Sequence, residues 1–159
     1  MDASLRHEIL ELKFAKRYGE AVSLIRSLAD RGDTAAKVML ARMWEAAGFS
    51  RAEADKLLEA AHQALVPSDV MAHLELYGAY AEGLGDVDYD VKARRSFDHL
   101  LAAAERDAGH TYSLAVARTY RTGSLVTKPD RSKAAWWYRK AVEQGSPDAA
   151  RELRTLAAE

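Results

Sequence analysis

The sequence predicts an all-α protein, an α/α superhelix in which antiparallel helix hairpins stack as a solenoid of about nine helices. Three observations predict it. Apolar residues recur at three- and four-residue intervals along nearly the whole chain, whereas alternating runs of Val, Ile and Thr are absent. Turn residues fall at intervals that leave only segments of helical length between them. Every second segment also aligns with the others: Leu40-Ala41-Arg42-Met43-Trp44, Leu76-Tyr77-Gly78-Ala79-Tyr80 and Val116-Ala117-Arg118-Thr119-Tyr120, with Trp44, Tyr80 and Tyr120 spaced 36 and 40 residues apart.

Taken in order, a first hairpin over 3–31 turns at Gly19, and Gly32-Asp33 closes it. The second, over 33–65, turns at Gly48-Phe49-Ser50 and ends before Pro67-Ser68-Asp69. The third, over 68–107, is connected through Gly83 to Asp90, and Gly109 separates it from the fourth, over 110–144, which turns between Gly123 and Asp130. Short connections of this kind make consecutive helices antiparallel neighbours. A capping helix over 146–158 follows Gly145, with Ser146 as N-cap, Pro147 at the first helical position and Arg151, Glu152, Arg154 and Glu159 supplying polarity. The whole of 1–159 reads as one domain, long enough to bury a core without disulfides or structural metal.

The helices between the aligned segments share a second pattern, a small residue followed by a large one at +4 and an apolar one at +7. It appears as Ala21/Ile25/Leu28, Ala54/Leu58/Ala61, Ala93/Phe97/Leu100 and Ala134/Tyr138/Ala141. Those offsets lie on one helical face, where the Ala lets a neighbouring helix approach and the large side chain fills the space beside it. One hairpin alone leaves that face wet; stacking buries it.

Residues 113–145, SLAVARTYRTGSLVTKPDRSKAAWWYRKAVEQG, resemble the Sel1-like repeat, a relative of the tetratricopeptide repeat. The matching residues are Val116-Ala117, Tyr120, Gly123, Val126, Asp130, Lys133-Ala134, Trp137-Tyr138, Ala141 and Gly145. A second copy keeps Tyr80, Gly83, Gly85, Val87, Asp90, Lys92-Ala93 and Phe97, and a third keeps Trp44, Gly48, Ala54, Leu58 and Ala61. Phe14 to Ala21 is similar to a tetratricopeptide turn. The resemblance implies a right-handed superhelix and a non-catalytic adaptor, scaffold or regulator that binds a partner protein, in bacteria often tied to signalling, envelope assembly, secretion or virulence. Neutralising an effector or toxin is one form of that role. Ala117 and Tyr77 stand where the repeat has Gly, which implies wider helix packing there.

Composition narrows the partners. With 23 basic against 24 acidic residues the formal charge is −1, unlike proteins that neutralise a phosphate backbone, so no nucleic acid is expected. The absence of cysteine removes thiol catalysis and thiolate metal sites. No stretch approaches the roughly 20 apolar residues of a membrane span, and the charged run MDASLRHEILELKFAKRY is no secretory leader. A cytoplasmic location is therefore expected, or a periplasmic one where a leader has been trimmed away.

No cofactor is expected. Asp86, Asp88 and Asp90 have the one-three-five spacing of a calcium loop, but Val91 replaces its Gly and Phe97 its bidentate Glu, so the segment reads as a connection whose last Asp caps the next helix. His7, His62, His73, His99 and His110 show no metal spacing, and no nucleophile elbow or phosphate loop is present. A hydrolase built from converging His and Asp residues has no motif behind it.

Two features point to binding. Trp136 lies about 200° around its helix from Ala134, where sister helices carry Ser23, Lys56 and Arg95. It reads either as an interface anchor or as a side chain covered by the capping helix. On the aligned helices, Val38, Leu74 and Leu114 form an apolar strip edged by Arg42, Gly78 and Arg118, with Arg121 beyond. The strip reads either as a groove for a partner's segment, arginines receiving carboxylates, or as the seam where these helices pack on one another. The alternative to a protein partner is a sensor that binds a short peptide or glycan in that groove.

Overall fold

A computed structural model describes residues 1–85 and 88–158. The described residues form ten helices and no strand. They are α1 (Ala3–Phe14), α2 (Tyr18–Asp30), α3 (Thr34–Arg42), α4 (Trp44–Ala47), α5 (Arg51–Gln63), α6 (Val70–Ala81), α7 (Tyr89–Glu105), α8 (His110–Thr122), α9 (Arg131–Glu143) and α10 (Pro147–Ala158). Several starts are written in the chain as caps, each side-chain oxygen taking one of the amide protons that a helix leaves orphaned. Asp33 accepts from Ala36 N, Asp69 from Ala72 N, Asp130 from Lys133 N and Ser146 from Ala149 N, at 2.8–3.2 Å. Ser50 and Glu53 form a reciprocal capping box.

The chain forms two compact units, Met1–Lys92 and Ala93–Glu159. In the first, α2 packs on α1, α3 and α4, while α3 packs on α5 and α6 as well. Being surrounded explains its composition: Ala35, Ala36, Val38, Met39, Leu40 and Ala41 are all buried, and three of the six are Ala because helix axes must come close. Ile9, Ile25, Leu28, Met39 and Leu40 fill the space between α1, α2 and α3. Each such side chain contributes about 1.5–3 kcal/mol.

The sequence predicts about nine helices and the described residues form ten, because the segment between Asp33 and Gly48 is not continuous. Met43 leaves helical geometry at φ −103°, ψ 29°, ending α3 and starting the one-turn α4. Of the three aligned aromatics, Trp44 and Tyr120 are half-buried, whereas Tyr80 is 2% exposed.

In the second unit α9 packs on α8 and on α10, and Phe97 of α7 meets Tyr120 of α8 edge to face at 6.2 Å. The connection before α9 is tightly drawn. Arg94 donates to the Val126 carbonyl at 2.7 Å, Asp130 N to the Tyr120 carbonyl at 2.7 Å, and Gly123 sits at φ +74° with Pro129 against it. A Cβ on residue 123 would lie 2.7 Å from Pro129 Cδ, so glycine is required both for its φ and for space. The small-large-apolar pattern is buried in all four helices that carry it, from Ala21/Ile25/Leu28 to Ala134/Tyr138/Ala141.

Candidate functional site

Helix α9 turns Ala134, Trp137, Tyr138 and Ala141 inward and leaves Trp136 52% exposed. The exposed indole is nonetheless held. Trp137 meets it edge to face with centroids 4.7 Å apart at 87°, and Lys140, one turn on, places its ammonium 5.5 Å from the Trp136 ring and 5.3 Å from the Trp137 ring. Lys140 is itself fixed at the end of α7, where its Nζ lies 3.0 Å from Asp107 and donates to the Glu105 carbonyl at 3.2 Å. That ammonium, together with a hydrogen bond from Gln144, holds the Asp107 carboxyl below the ordinary carboxylate range. Beside Trp136 these residues border an open groove of about 600 Å³, with Arg139 and Glu143 on its rim. Capping helix α10 does not cover the indole; it lies against α9 where Tyr138 Oη donates to Glu152 at 2.9 Å.

Arg118 and Arg121 meet that same clasp. Arg118 donates from Nε to both Glu152 oxygens at 3.1 Å, so its fork is turned to α10 even though about half of its side chain is exposed. Burial works to raise the Glu152 pKa, but hydrogen bonding to Arg118 and Tyr138 prevails and lowers it. Burial and the Glu152 carboxylate push the Tyr138 hydroxyl up to about 12, with Arg121 pulling the other way.

Within the first unit, Val38 and Leu74 of the apolar strip lie in a packing seam. Val38 is fully buried, Leu74 is 7% and Leu114 8% exposed, which leaves little of these side chains for a partner. α3 packs directly on α6 there. Arg42 is engaged as well: its guanidinium forks onto Glu82 and reaches Glu75 end-on, and Arg6 of α1 takes the other Glu75 oxygen. Burial opposes its charge, yet the two carboxylates hold its pKa above the ordinary arginine value. Gly78 makes the arrangement fit, since a Cβ there would stand 3.0 Å from Arg42 Nη1. Sequence reasoning missed Glu75 and Arg6. The available signal was the lone carboxylate of the largely apolar α6, which requires a cationic partner when buried.

Among the described residues, no three His, Cys, Asp or Glu side chains stand close enough to hold a metal ion. Asp86 lies outside the described residues; Asp90 does not cap α7 as the spacing predicts but falls inside its first turn, because the helix starts at Tyr89. No described helix is long and apolar enough to cross a membrane.

The Sel1 repeat family matches residues 75–107 and 111–146. No curated protein matches the chain. Among solved structures it is similar to a Sel1 repeat protein from Oxalobacter formigenes, at 28% identity over 82% of this chain and 95% of that one, with a TM-score of 0.48.

Proposed function

Because the chain carries two Sel1 repeats, at residues 75–107 and 111–146, we propose that it is a non-catalytic interaction module that holds another protein against the Trp136 face of α9. Sel1 repeats generally mediate contacts between proteins. The single observation carrying the site is that Trp136 is half exposed and at the same time braced by Trp137 and Lys140. An exposed indole already fixed in one pose loses little side-chain entropy on binding, and tryptophan dominates interface hot spots. The open groove beside it offers room for a partner side chain, with Arg139 as donor and Glu143 as acceptor on its rim.

Capture of partners from the native organism, followed by mass spectrometry, tests this with wild type and Trp136→Ala in parallel. The substitution is expected to leave the melting temperature nearly unchanged and to weaken capture by about 2 kcal/mol, roughly thirtyfold in affinity. A sharp fall in melting temperature, or undiminished capture, overturns the assignment.

A further inference from the structure

A second groove, built from unit Met1–Lys92 alone, lies where α3 ends. The break at Met43 sets α4 against α2 just after α1 has terminated at Phe14. A pocket of about 530 Å³ opens there, lined by Lys13, Tyr18, Arg42, Met43, Trp44 and Glu45. That volume is typical of small-molecule sites. Its wall is apolar and aromatic: Tyr18 is 44% exposed, Trp44 is half-buried, and Met43 stands beneath at 6%.

The charges around this wall differ in kind. Arg42 has its charge answered by Glu82 and Glu75, which take three of its five N–H donors. Lys13 and Glu45 have no ion pair or hydrogen bond from their side chains among the described residues, so they stand beyond ion-pair reach of one another as well. Lys13 is partly buried and Glu45 exposed, so a ligand in the groove displaces part of the water around each. A neutral ligand leaves two charges unanswered and a singly charged one leaves one, each at a desolvation cost. A ligand that carries both a carboxylate and an ammonium answers both.

We propose that this groove binds a small zwitterion with an apolar side chain, a free hydrophobic amino acid or a dipeptide. Lys13 takes its carboxylate, Glu45 its ammonium, and Tyr18, Trp44 and Met43 receive the side chain. The site is independent of the Trp136 face, and the fate of one does not decide the other.

Titration calorimetry on the full chain tests it with L-phenylalanine, the dipeptide Leu-Leu, N-acetylphenylalanine, phenylalanine amide and glycine. Phenylalanine or the dipeptide is expected to bind saturably at millimolar concentration. The acetylated and amidated forms, each lacking one charge, should bind about tenfold or more weakly, the loss expected of a charged hydrogen bond. Glycine should not bind. Lys13→Met should abolish the advantage of phenylalanine over its amide, and Glu45→Gln its advantage over the acetylated form. The ligand series on the unaltered chain is decisive even where a variant folds poorly. Absence of binding by both zwitterions, equal binding of free and blocked forms, or affinities untouched in folded Lys13→Met and Glu45→Gln proteins overturns the proposal.

Discussion

Glu75 shows how strongly a single side chain can depend on partners far away in sequence. It is fully buried, and two arginines from other helices neutralise it. Replacing such a pair with apolar groups is often harmless, but removing one partner strands the rest. Glu75→Ala is therefore expected to cost about 3–5 kcal/mol in denaturant unfolding, because Arg6 loses its carboxylate and Arg42 keeps only Glu82. Gly78→Ala probes the same cluster from outside. Helix propensity favours Ala by about 1 kcal/mol, while crowding the pinned Arg42 guanidinium costs about 1–3 kcal/mol, so a modest net loss of stability is expected. A gain in melting temperature would show that Arg42 yields freely.

At the scale of the helix, packing and capping divide the work. Ala134 of α9 is fully buried, and its smallness sets how near the neighbouring helices come. Ala134→Trp is expected to destabilise strongly, by at least the ~1–3 kcal/mol of ordinary overpacking, whereas a variant as stable as the parent would contradict the register assigned to α9. Helix α10 is held differently. It buries only Ala149 and Leu156, and its attachment is largely polar, through Glu152 to Arg118 and Tyr138 and from Arg131 to the Leu156 carbonyl. Glu152→Ala should accordingly release α10 before the rest of its unit. Hydrogen exchange would show faster exchange confined to residues 147–158, and uniform acceleration across α8 and α9 would count against this separation.

For the molecule as a whole, the same clasp gives stability a defined pH dependence. Tyr138 titrates at about 12 when folded, above its ordinary 10.0, so its contribution is complete below pH 10 and is lost as pH rises from there through about 12. Glu152 is shifted the opposite way, below 4.5; its contribution is present above that value and disappears as pH falls through the folded-state pKa. Melting temperature plotted against pH should therefore fall on both sides. Tyr138→Phe should flatten the alkaline limb, which would remain unchanged if Tyr138 were uncoupled from stability.

Much of this was legible in the chain. Helix content, the positions of most turns and the repeated small-large-apolar face follow from local rules: caps satisfy orphaned amides, glycine permits left-handed turns, and residues at 0, +4 and +7 share a side of any helix. Ala54, Leu58 and Ala61 share one face of their helix by spacing alone, and all three are buried. The break at Met43, the neutralisation of Glu75 and the bracing of Trp136 by a lysine fixed on Asp107 depend on contacts that chain spacing does not encode. Trp136 and Leu114 look equally available as apolar residues on amphipathic helices. Only packing buries one and leaves the other half exposed, because burial is a property of what comes to lie against a side chain and not of the side chain itself.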